Sequence, residues 1–458
     1  MTAREWLRLM LVGLGASVVP LDTAVNIAFP DITRSFGLPI AMIQWVVICY
    51  VLTYASLILA FGRVGDIFGH ARVFRAGLLW SVAAFLACAA APAYGWLLLC
   101  RFLQGVGAGL VISVAPALIT GLFPEKRRGR AVAAFTMMFA LGSAAGPLIG
   151  GTLVSLWGWP AVFWFRAPIA LAALLSLRGL PAESRPETRE RLDLPGAFLL
   201  ALTIGSLLLL INALPHVGHR YGMVLGLVAV AITGLAAFLR RESRVAAPIL
   251  DLRVFRSRGF AALNLASVLI YLASFSVLLF VPYYLVRYTA LPLPLAGAVL
   301  AVSFAGTIAA SPVAGRLIER IPANLVALFG AILGGAGLVA IGDWTPGGGH
   351  AVAILSALVA QGFGVGLFQV AYIDVVLGTI PGRHRGVAGS VAMLTRTLGI
   401  VGGATSLTVG FHTVAAAALA RGQGANAAFL AAFHMTFMIA GTASAAIAIA
   451  ALGLGRRR

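Results

Sequence analysis

An acid and an arginine lie inside long apolar stretches of this sequence. Asp22 is part of the segment PLDTAVNIAFP, and Arg101 opens the segment RFLQGVGAG. Asn26 follows Asp22 by four residues, so we expect the two side chains to share one face of a helix. Charged side chains in apolar helices are costly, and they normally face the protein interior and pair with one another. We therefore predict that Asp22 and Arg101 pair. The pair is either a purely structural ion pair or a proton site in which Asp22 takes up and releases a proton.

The composition of the chain is that of a membrane protein. Of its 458 residues, 61% are apolar and 10% are charged, against about 45–50% and about 25% in an average soluble protein. This composition excludes an ordinary soluble enzyme and a disordered chain. Apolar stretches of about 20 residues, the length of a membrane-spanning helix, predict fourteen spans. The predicted spans are residues 7–29, 42–61, 74–92, 95–122, 131–155, 161–178, 194–213, 222–239, 259–285, 293–314, 323–342, 350–378, 386–411 and 428–454.

Basic residues are distributed unequally between the two sides of these spans. The chain has 33 Lys and Arg against 14 Asp and Glu, and its formal net charge is +19. With a cytoplasmic N-terminus, 26 of the basic residues fall in cytoplasmic loops and tails and four in outer loops. This is the positive-inside pattern. We therefore predict that both termini are cytoplasmic, and we interpret the positive charge as a topology signal rather than as a sign of nucleic-acid binding.

The sequence contains an internal repeat with an offset of 253 residues. The pairs related by this offset are Gly62 and Gly315, Asp66 and Glu319, Gly146 and Gly399, and Gly150 and Gly403. Because six spans need about 180 residues, the offset leaves room for two inserted helices. We predict an N-terminal six-helix bundle at residues 1–180 and a C-terminal six-helix bundle at 259–458. Residues 181–258 would hold a cytoplasmic linker, spans seven and eight, and a basic loop.

The loop after the second span combines glycines, an acid and several arginines in GRVGDIFGHARVFR, residues 62–75. Asp66 is suited to accept hydrogen bonds from a helix N-terminus and from an arginine. We predict a conformational latch on the cytoplasmic side that involves Gly62, Asp66, Arg72 and Glu319. The alternative is a solvated turn whose charges only set the topology.

Small residues recur at four-residue spacing in the fifth span, where Gly142, Gly146 and Gly150 lie in GSAAGPLIGG together with Pro147. Such spacing lets helix backbones approach closely, and a proline bends the helix. We predict a tight sliding contact here and, through Gly399 and Gly403, in the second half. Simple close packing is an alternative that is compatible with this one.

Polar and aromatic residues in the spans are candidates for a substrate cavity. The predicted cavity residues are Asn26, Gln104, Arg166, Arg396, Gln361, Gln369 and Tyr271. Apart from arginines at their cytoplasmic ends, the spans contain three arginines, Arg101, Arg166 and Arg396, but only two acids, Asp22 and Asp374. A neutral-to-positive interior repels lipophilic cations, so we predict a substrate that is neutral, anionic or amphipathic with an acidic head. Alternatively, Arg166 extends to the outer membrane interface, and Asp374 is anchored locally by pairing with Arg383 or Arg385.

Taken together, these motifs resemble those of the fourteen-span drug:proton antiporters of the major facilitator superfamily. The resemblance extends over essentially the whole chain and rests on LDTAVNIAFP, GRVGDIFGHARVF, RFLQGVGAG, GSAAGPLIGG and RTLGIVGGA in this order. It implies an all-α integral membrane protein of the major facilitator fold. Two six-helix bundles would surround a central cavity, accompanied by two additional transmembrane helices, and the protein would work by alternating access.

The resemblance also implies roles for individual residues. Asp22 is similar to the family's first-span acid, Asp66 to its latch acid and Arg101 to its proton-relay arginine, and the antiporter motif corresponds to Gly146, Pro147 and Gly150. The chain departs from the family at Arg166, in GWPAVFWFRAP, where members usually have asparagine. Many members also have an additional membrane acid in or near the inserted helices, whereas spans seven and eight of this chain contain none.

These observations predict a proton-coupled exporter, an antiporter of small hydrophobic or amphipathic compounds, in the bacterial inner membrane. An organic-anion facilitator or a proton symporter with the same fold is the alternative. The sequence has no GxxxxGK[ST] loop, so we expect the proton gradient to drive transport without ATP, cofactor or metal. We expect a monomer whose partners are a small-molecule substrate and membrane lipids, without nucleic acid. No paired-acid, HExxH or close Ser/His constellation occurs in the spans, which argues against an enzyme.

Overall fold

The computed structural model describes residues 3–38, 42–121, 123, 127–177, 193–213, 217–245, 257–289, 293–345, 351–380 and 385–455. Every regular element in these ranges is a helix, as expected where a bilayer requires backbone polar groups to bond within the segment. The helices are α1 (Ala3–Ser17), a 3₁₀ helix (Pro20–Thr23), α2 (Ala24–Ile27), α3 (Phe29–Phe36), α4 (Gln44–Phe68), α5 (His70–Ala89), α6 (Tyr94–Gly121), α7 (Arg128–Trp157), α8 (Ala161–Trp164), α9 (Arg166–Ser176), α10 (Leu194–Ala213), α11 (Val217–Glu242), α12 (Arg258–Tyr288), α13 (Leu293–Ile318), α14 (Ala323–Gly342), α15 (Ala351–Thr379), α16 (Arg385–Ala420) and α17 (Ala425–Gly455).

Twelve helices of the described residues are long and apolar enough to cross a membrane. They correspond to all the predicted spans except the sixth and seventh. Those two coincide with shorter apolar helices, Ala161–Ser176 and Leu194–Leu210. The fourteen-span count therefore stays a prediction.

The first span is an interrupted helix. α1 ends at Ser17, and the 3₁₀ helix Pro20–Thr23 separates it from α2. Pro20 occupies the start of the 3₁₀ helix, where its missing N–H removes a helical hydrogen bond. This interruption places Asp22 in a tight turn and not on a regular helix face.

The chain forms two compact units. The first unit contains Met1–Leu209, Leu225–Leu252 and Val376–Leu394. The second unit contains Leu210–Val224, Arg253–Val375 and Thr395–Arg458. In the first unit α4, α5 and α6 pack against one another, and α7 packs against α1, the 3₁₀ helix and α2. In the second unit α17 packs against α12 and α14, around an aromatic core that includes Tyr284, Trp344 and Phe433.

Helices α10 and α11 are joined near one end by an ion pair. Asp193 precedes α10 and accepts a hydrogen bond from the backbone N–H of Gly196 at 3.2 Å. The Nε of Arg241, in the last turn of α11, donates to both carboxylate oxygens at 2.8 and 2.9 Å. These hydrogen bonds from Arg241 hold the pKa of Asp193 below its ordinary value. The linkage fixes the start of one helix to the end of the next.

Candidate functional site

Two arginines and a glutamine surround the carboxylate of Asp22. Arg101 donates from Nη1 to Oδ1 at 2.7 Å and from Nη2 to Oδ2 at 2.8 Å. Gln104 Nε2 donates to Oδ1 at 2.9 Å, and Arg166 Nη1 donates to the same oxygen at 2.6 Å. The predicted contact between Asp22 and Arg101 is therefore present. It is extended by Arg166 and Gln104, which the sequence analysis assigned to the cavity. We call these four residues the Asp22 cluster.

Arg101 is held in place from three directions. Its Nε donates to the carbonyl of Val46 at 2.7 Å, and its Nη1 also donates to Gln104 Oε1 at 2.8 Å. Its guanidinium carbon lies 4.4 Å from the centre of the Tyr50 ring. Residues three apart lie on one side of a helix, so α6 presents Arg101 and Gln104 to the same carboxylate. Each nitrogen of this guanidinium has an acceptor.

Arg166 is the first residue of α9 and is fully buried, with 0% exposure. Its Nε donates to the carbonyl of Val162 at 3.1 Å, and its guanidinium carbon lies 4.4 Å from the centre of the Phe85 ring. Full burial and the bond to Asp22 are incompatible with the alternative in which Arg166 extends to the membrane interface. A carboxylate within reach holds the guanidinium inside the protein. The Asp22 side chain is 13% exposed, whereas the side chains of both arginines are fully buried.

The glycines of α7 pack on the interrupted part of the first span. A Cβ atom on Gly142 would lie 2.7 Å from the carbonyl oxygen of Ser17. On Gly146 it would lie 2.9 Å from the backbone nitrogen of Ala24, and on Gly150 it would lie 3.1 Å from the Ala24 Cβ. Only glycine permits backbones to approach this closely. The stripe of small residues therefore supports the turn that carries Asp22.

A hydrogen bond reinforces this contact, since Thr23 Oγ1 donates to the carbonyl of Ser143 at 3.1 Å. Thr23 is the neighbour of Asp22 in the chain, so α7 is bonded directly to the turn that holds the acid. The side chain of Pro147, which the sequence analysis assigned to a helix bend, lies outside the described residues.

The corresponding glycines of the second unit make an equivalent contact with α12. A Cβ atom on Gly399 would lie 2.7 Å from the Cβ of Tyr271, and one on Gly403 would lie 2.8 Å from the carbonyl oxygen of Leu272. The repeat seen in the sequence thus corresponds to a repeated helix packing.

Asp66, near the end of α4, caps the N-terminus of α16. Its Oδ1 accepts a hydrogen bond from the backbone N–H of Gly386 at 2.7 Å, and its Oδ2 accepts one from Val387 at 3.2 Å. His70 Nε2 lies 3.0 Å from Oδ1. A helix N-terminus favours an anion because its first N–H groups are unpaired. The predicted bond between Asp66 and a helix N-terminus is therefore present, and both partners belong to the first unit.

The other predicted latch residues have different positions. Gly62 lies against α16, where an added Cβ would collide with Ser390 Oγ and lie 2.6 Å from the carbonyl oxygen of Gly386. Arg72 is exposed two residues beyond His70, and the side chain beside the Asp66 carboxylate is the histidine. Glu319 is exposed and belongs to the second unit. The latch roles of Arg72 and Glu319 therefore stay predictions.

A network of neutral polar groups, which was not predicted from the sequence, is buried in the second unit. The Tyr372 hydroxyl donates to Asn264 Oδ1 at 2.8 Å and lies 2.8 Å from Thr395 Oγ1. Ser267 Oγ lies 3.1 Å from the same Thr395 oxygen. Uncharged polar residues are common in membrane helices, so their types alone gave no signal. The one signal in the sequence was that such residues recur on three helices, α12, α15 and α16.

The remaining predicted cavity residues of the second unit are mostly buried. The guanidinium carbon of Arg396 lies 5.6 Å from the centre of the Tyr271 ring. Gln361 Oε1 accepts a hydrogen bond from Ser303 at 2.7 Å. Gln369 is 4% exposed. Arg396 and Tyr271 are thus brought together, as a cation beside an aromatic ring.

Asn26 is not among the described partners of Asp22, and it is exposed. The expected shared helix face required four residues of regular α-helix, whereas the 3₁₀ turn changes the rotation per residue. Asp374 is buried in α15 with 7% exposure. Arg383, one of the two arginines predicted to anchor it, lies outside the described residues.

Comparison with known proteins agrees with this architecture. A sequence model described as the Major Facilitator Superfamily matches residues 10–404. The multidrug resistance protein Stp of Mycobacterium tuberculosis is 29% identical over 401 residues, which cover 87% of this chain and 74% of that protein. The puromycin resistance protein pur8 of Streptomyces alboniger is 33% identical over 436 residues, which cover 93% of this chain and 84% of that protein.

The fold is also similar to that of a solved transporter structure. A crystal structure of a double tryptophan mutant of XylE has a TM-score of 0.69, with 14% sequence identity and coverage of 99% of this chain and 96% of that one. At this identity the similarity concerns the fold alone.

Proposed function

This chain belongs to the Major Facilitator Superfamily, whose members are transporters rather than enzymes, and we propose that it is a proton-coupled exporter. It would move small hydrophobic or amphipathic compounds out of the cell in exchange for protons, by alternating access. The substrates would be neutral or anionic rather than cationic. Similarity to multidrug and puromycin resistance proteins supports a role in export of small molecules.

The Asp22 cluster is the observation that carries this proposal. Asp22 is an acid inside an apolar span, the position in which a carboxylate serves ion or proton pathways. It is partly exposed while both of its arginines are fully buried. A proton that arrives from the outer side would neutralise the carboxylate and weaken its bonds to Arg101 and Arg166. Neutral Asp22 would favour the inward-facing state, and substrate binding there would favour loss of the proton to the cytoplasm.

Two contacts would couple the state of Asp22 to helix movement. The α7 glycines and Thr23 connect the turn around Asp22 to a long helix. The bond from Asp66 to the start of α16 would be the latch that breaks and reforms in each cycle. Both contacts are small and directional, so modest displacements are sufficient to change them.

We further propose the number of spans and the arrangement of the chain across the membrane. The chain would have fourteen spans, with six-helix bundles at residues 1–180 and 259–458, an insert at 181–258, and both termini cytoplasmic. Support comes from the overlap of every predicted span with a helix and from the unequal distribution of basic residues. It would act as a monomer in the bacterial inner membrane, in contact with lipids and substrate, without nucleic acid, and driven by the proton gradient without a cofactor.

Proton movement across proteoliposomes tests the proposal. The vesicles contain a trapped pH-sensitive dye and receive neutral, anionic and cationic amphipathic compounds in turn. Wild type is expected to move protons in response to neutral or anionic members. Asp22→Asn is expected to lose this response while it binds the same compounds within about tenfold of wild type. Asp343→Asn is the control, because Asp343 is 61% exposed in the second unit.

Unchanged proton-coupled transport by Asp22→Asn would remove Asp22 from the mechanism. The sign of the dye response separates the two candidate functions. Exchange moves protons and substrate in opposite directions, whereas the alternative, an organic-anion facilitator or proton symporter, moves no protons or moves them with the substrate. Arg166, the second arginine beside Asp22, is the observation that supports the organic-anion alternative.

A further inference from the structure

The guanidinium of Arg166 has an unused hydrogen-bonding edge. Nη1 donates to Asp22 and Nε donates to the Val162 carbonyl. Nη2 is buried and has no hydrogen-bond acceptor among the described residues. The nearby rings of Phe85 and Phe163, with centres at 4.4 and 5.6 Å from the guanidinium carbon, stabilise a cation but offer it no acceptor atom. Part of a buried cation is therefore left without the partner it normally requires.

The charges of the Asp22 cluster do not balance. It contains two guanidinium groups and one carboxylate, and both arginines are fully buried. The other groups that face it are neutral: Gln104, whose Oε1 accepts a hydrogen bond from Cys88 at 3.6 Å, and Tyr50, whose hydroxyl is directed to the Val19 carbonyl at 3.5 Å. A buried charge without a counter-charge is strongly unfavourable. A second anion at this place would remove the imbalance.

We propose that the Asp22 cluster is a binding site for one acidic group, a carboxylate or a comparable monoanion, which bonds to Nη2 of Arg166 while Asp22 stays in place. Two guanidinium groups would then be shared by two carboxylates. The inference deepens the proposed function, since it takes the bound acid to be the acidic head of the transported compound. Nη2 is covered in the described conformation, so binding uses the opening that alternating access supplies. Arg166 thereby becomes the residue that selects an acid over a neutral analogue.

Three probes with one ring and different charges test this site. Benzoate, benzyl alcohol and benzylammonium are titrated into the purified protein in a chloride-free sulfate buffer, and binding is measured by calorimetry and by the shift of the thermal unfolding temperature. Benzoate is expected to bind at least about tenfold more tightly than benzyl alcohol, as one charge-assisted hydrogen bond allows. Benzylammonium is expected not to bind. Equal affinities for benzoate and benzyl alcohol in the wild type would overturn the proposal.

Chloride is titrated separately, because it shares the charge of a carboxylate. If chloride binds as tightly as benzoate, the cluster is an inorganic-anion site and the assignment to a substrate acid is wrong. Benzoate binding that persists against excess chloride supports the assignment.

Variants locate the binding to Arg166. Arg166→Asn and Arg166→Gln are expected to reduce the preference for benzoate to about parity with benzyl alcohol. Arg34→Asn is the matched control, since Arg34 is exposed in the same unit. Asp22→Asn is expected to retain the preference for benzoate over benzyl alcohol, because Asp22 bonds to Nη1 of Arg166 and the proposed site is Nη2. Full preference for benzoate in a folded Arg166 variant would contradict the proposal.

If the Arg166 variants fail to fold, the probe titrations of the wild type and of Asp22→Asn still test the proposal. All these measurements are made without a proton gradient. A failure of proton-coupled exchange therefore leaves the binding result standing, and a failure of benzoate binding leaves proton exchange of neutral compounds untouched.

Discussion

The two units of the chain share a packing pattern but not a charge pattern. Glycines related by the 253-residue repeat make the same kind of close backbone contact, at Gly146 in the first unit and at Gly399 in the second. The repeat places Phe275 and Ile354 at the positions that correspond to Asp22 and Arg101. The repeated scaffold is thus retained in both halves, whereas the related positions of the second half carry apolar residues in place of Asp22 and Arg101.

The difference in charge implies a difference in what each network can do. The second unit's network around Tyr372 consists of hydroxyl and amide groups that satisfy one another. Such a network stabilises one arrangement of helices. The Asp22 cluster has more cations than anions and a partly exposed carboxylate, and under our proposals its state changes when a proton or an anion binds. The two units thus share a packing pattern, and the proposed response to ligands depends on the charge found in the first.

Among the differences between the two units, removal of the Asp22 carboxylate is expected to have the largest effect on the free energy of unfolding. Asp22→Leu leaves two buried guanidinium groups without a carboxylate and is expected to lower the free energy of unfolding by about 3–5 kcal/mol. Unfolding in mixed detergent micelles measures the change. Asp343→Leu, at an exposed acid of the second unit, is expected to change it by less than about 0.5 kcal/mol. Equal effects of the two substitutions would show that the cluster contributes no special electrostatic constraint.

Alanine at the repeated glycines tests whether the packing is equivalent. Gly146→Ala and Gly399→Ala place a Cβ within contact of neighbouring backbone or side-chain atoms and are each expected to cost about 1–3 kcal/mol of unfolding free energy. Controls on the same helices are Gly151→Ala and Gly410→Ala, where nothing lies within 4 Å of an added Cβ. A large effect in one unit and none in the other would disprove the equivalence.

Loss of one hydroxyl tests the neutral network. Tyr372→Phe removes the bonds to Asn264 and Thr395 and is expected to cost about 1–2 kcal/mol of unfolding free energy. Transport in proteoliposomes should stay within about threefold of wild type, because no charged group is altered. Complete loss of transport in a stable Tyr372→Phe protein would assign a direct role to the second unit's network.

The smallest effect is expected at an ion pair outside the spans. Arg241 holds the pKa of Asp193 below its ordinary value, so the pair stabilises the folded state at pH values above the ordinary aspartate pKa of about 4. The contribution is lost as the pH falls through the lowered pKa and Asp193 is protonated. The thermal unfolding temperature of wild type should therefore exceed that of Asp193→Asn at pH 7, and the difference should disappear in acid. A difference that is independent of pH would contradict this account.

The helices and the main ion pair could be predicted from the sequence because both follow from the cost of polar groups in lipid. Long apolar stretches must form helices, and an acid and an arginine inside them must find each other, as Asp22 and Arg101 do. The bond from Asp66 to a helix N-terminus followed from the same reasoning.

The remaining contacts depend on geometry that spacing does not encode. Arg166 reaches Asp22 because α8 and α9 bring residue 166 to the 3₁₀ turn, and nothing in the local sequence specifies that approach. The turn itself displaced Asn26 from the expected face. The network around Tyr372 escaped prediction because hydroxyl groups in membrane helices give a weak energetic signal.

The position of Asp22 in the interrupted first span has a consequence for synthesis of the protein. Its two arginine partners follow 79 and 144 residues later in the chain. A chain emerging from the ribosome, N-terminus first, therefore delivers the acid to the membrane long before either counter-ion exists. Fragments that stop before residue 166 lack one of those counter-ions, so assembly of the first unit is completed only after its sixth apolar segment has been made.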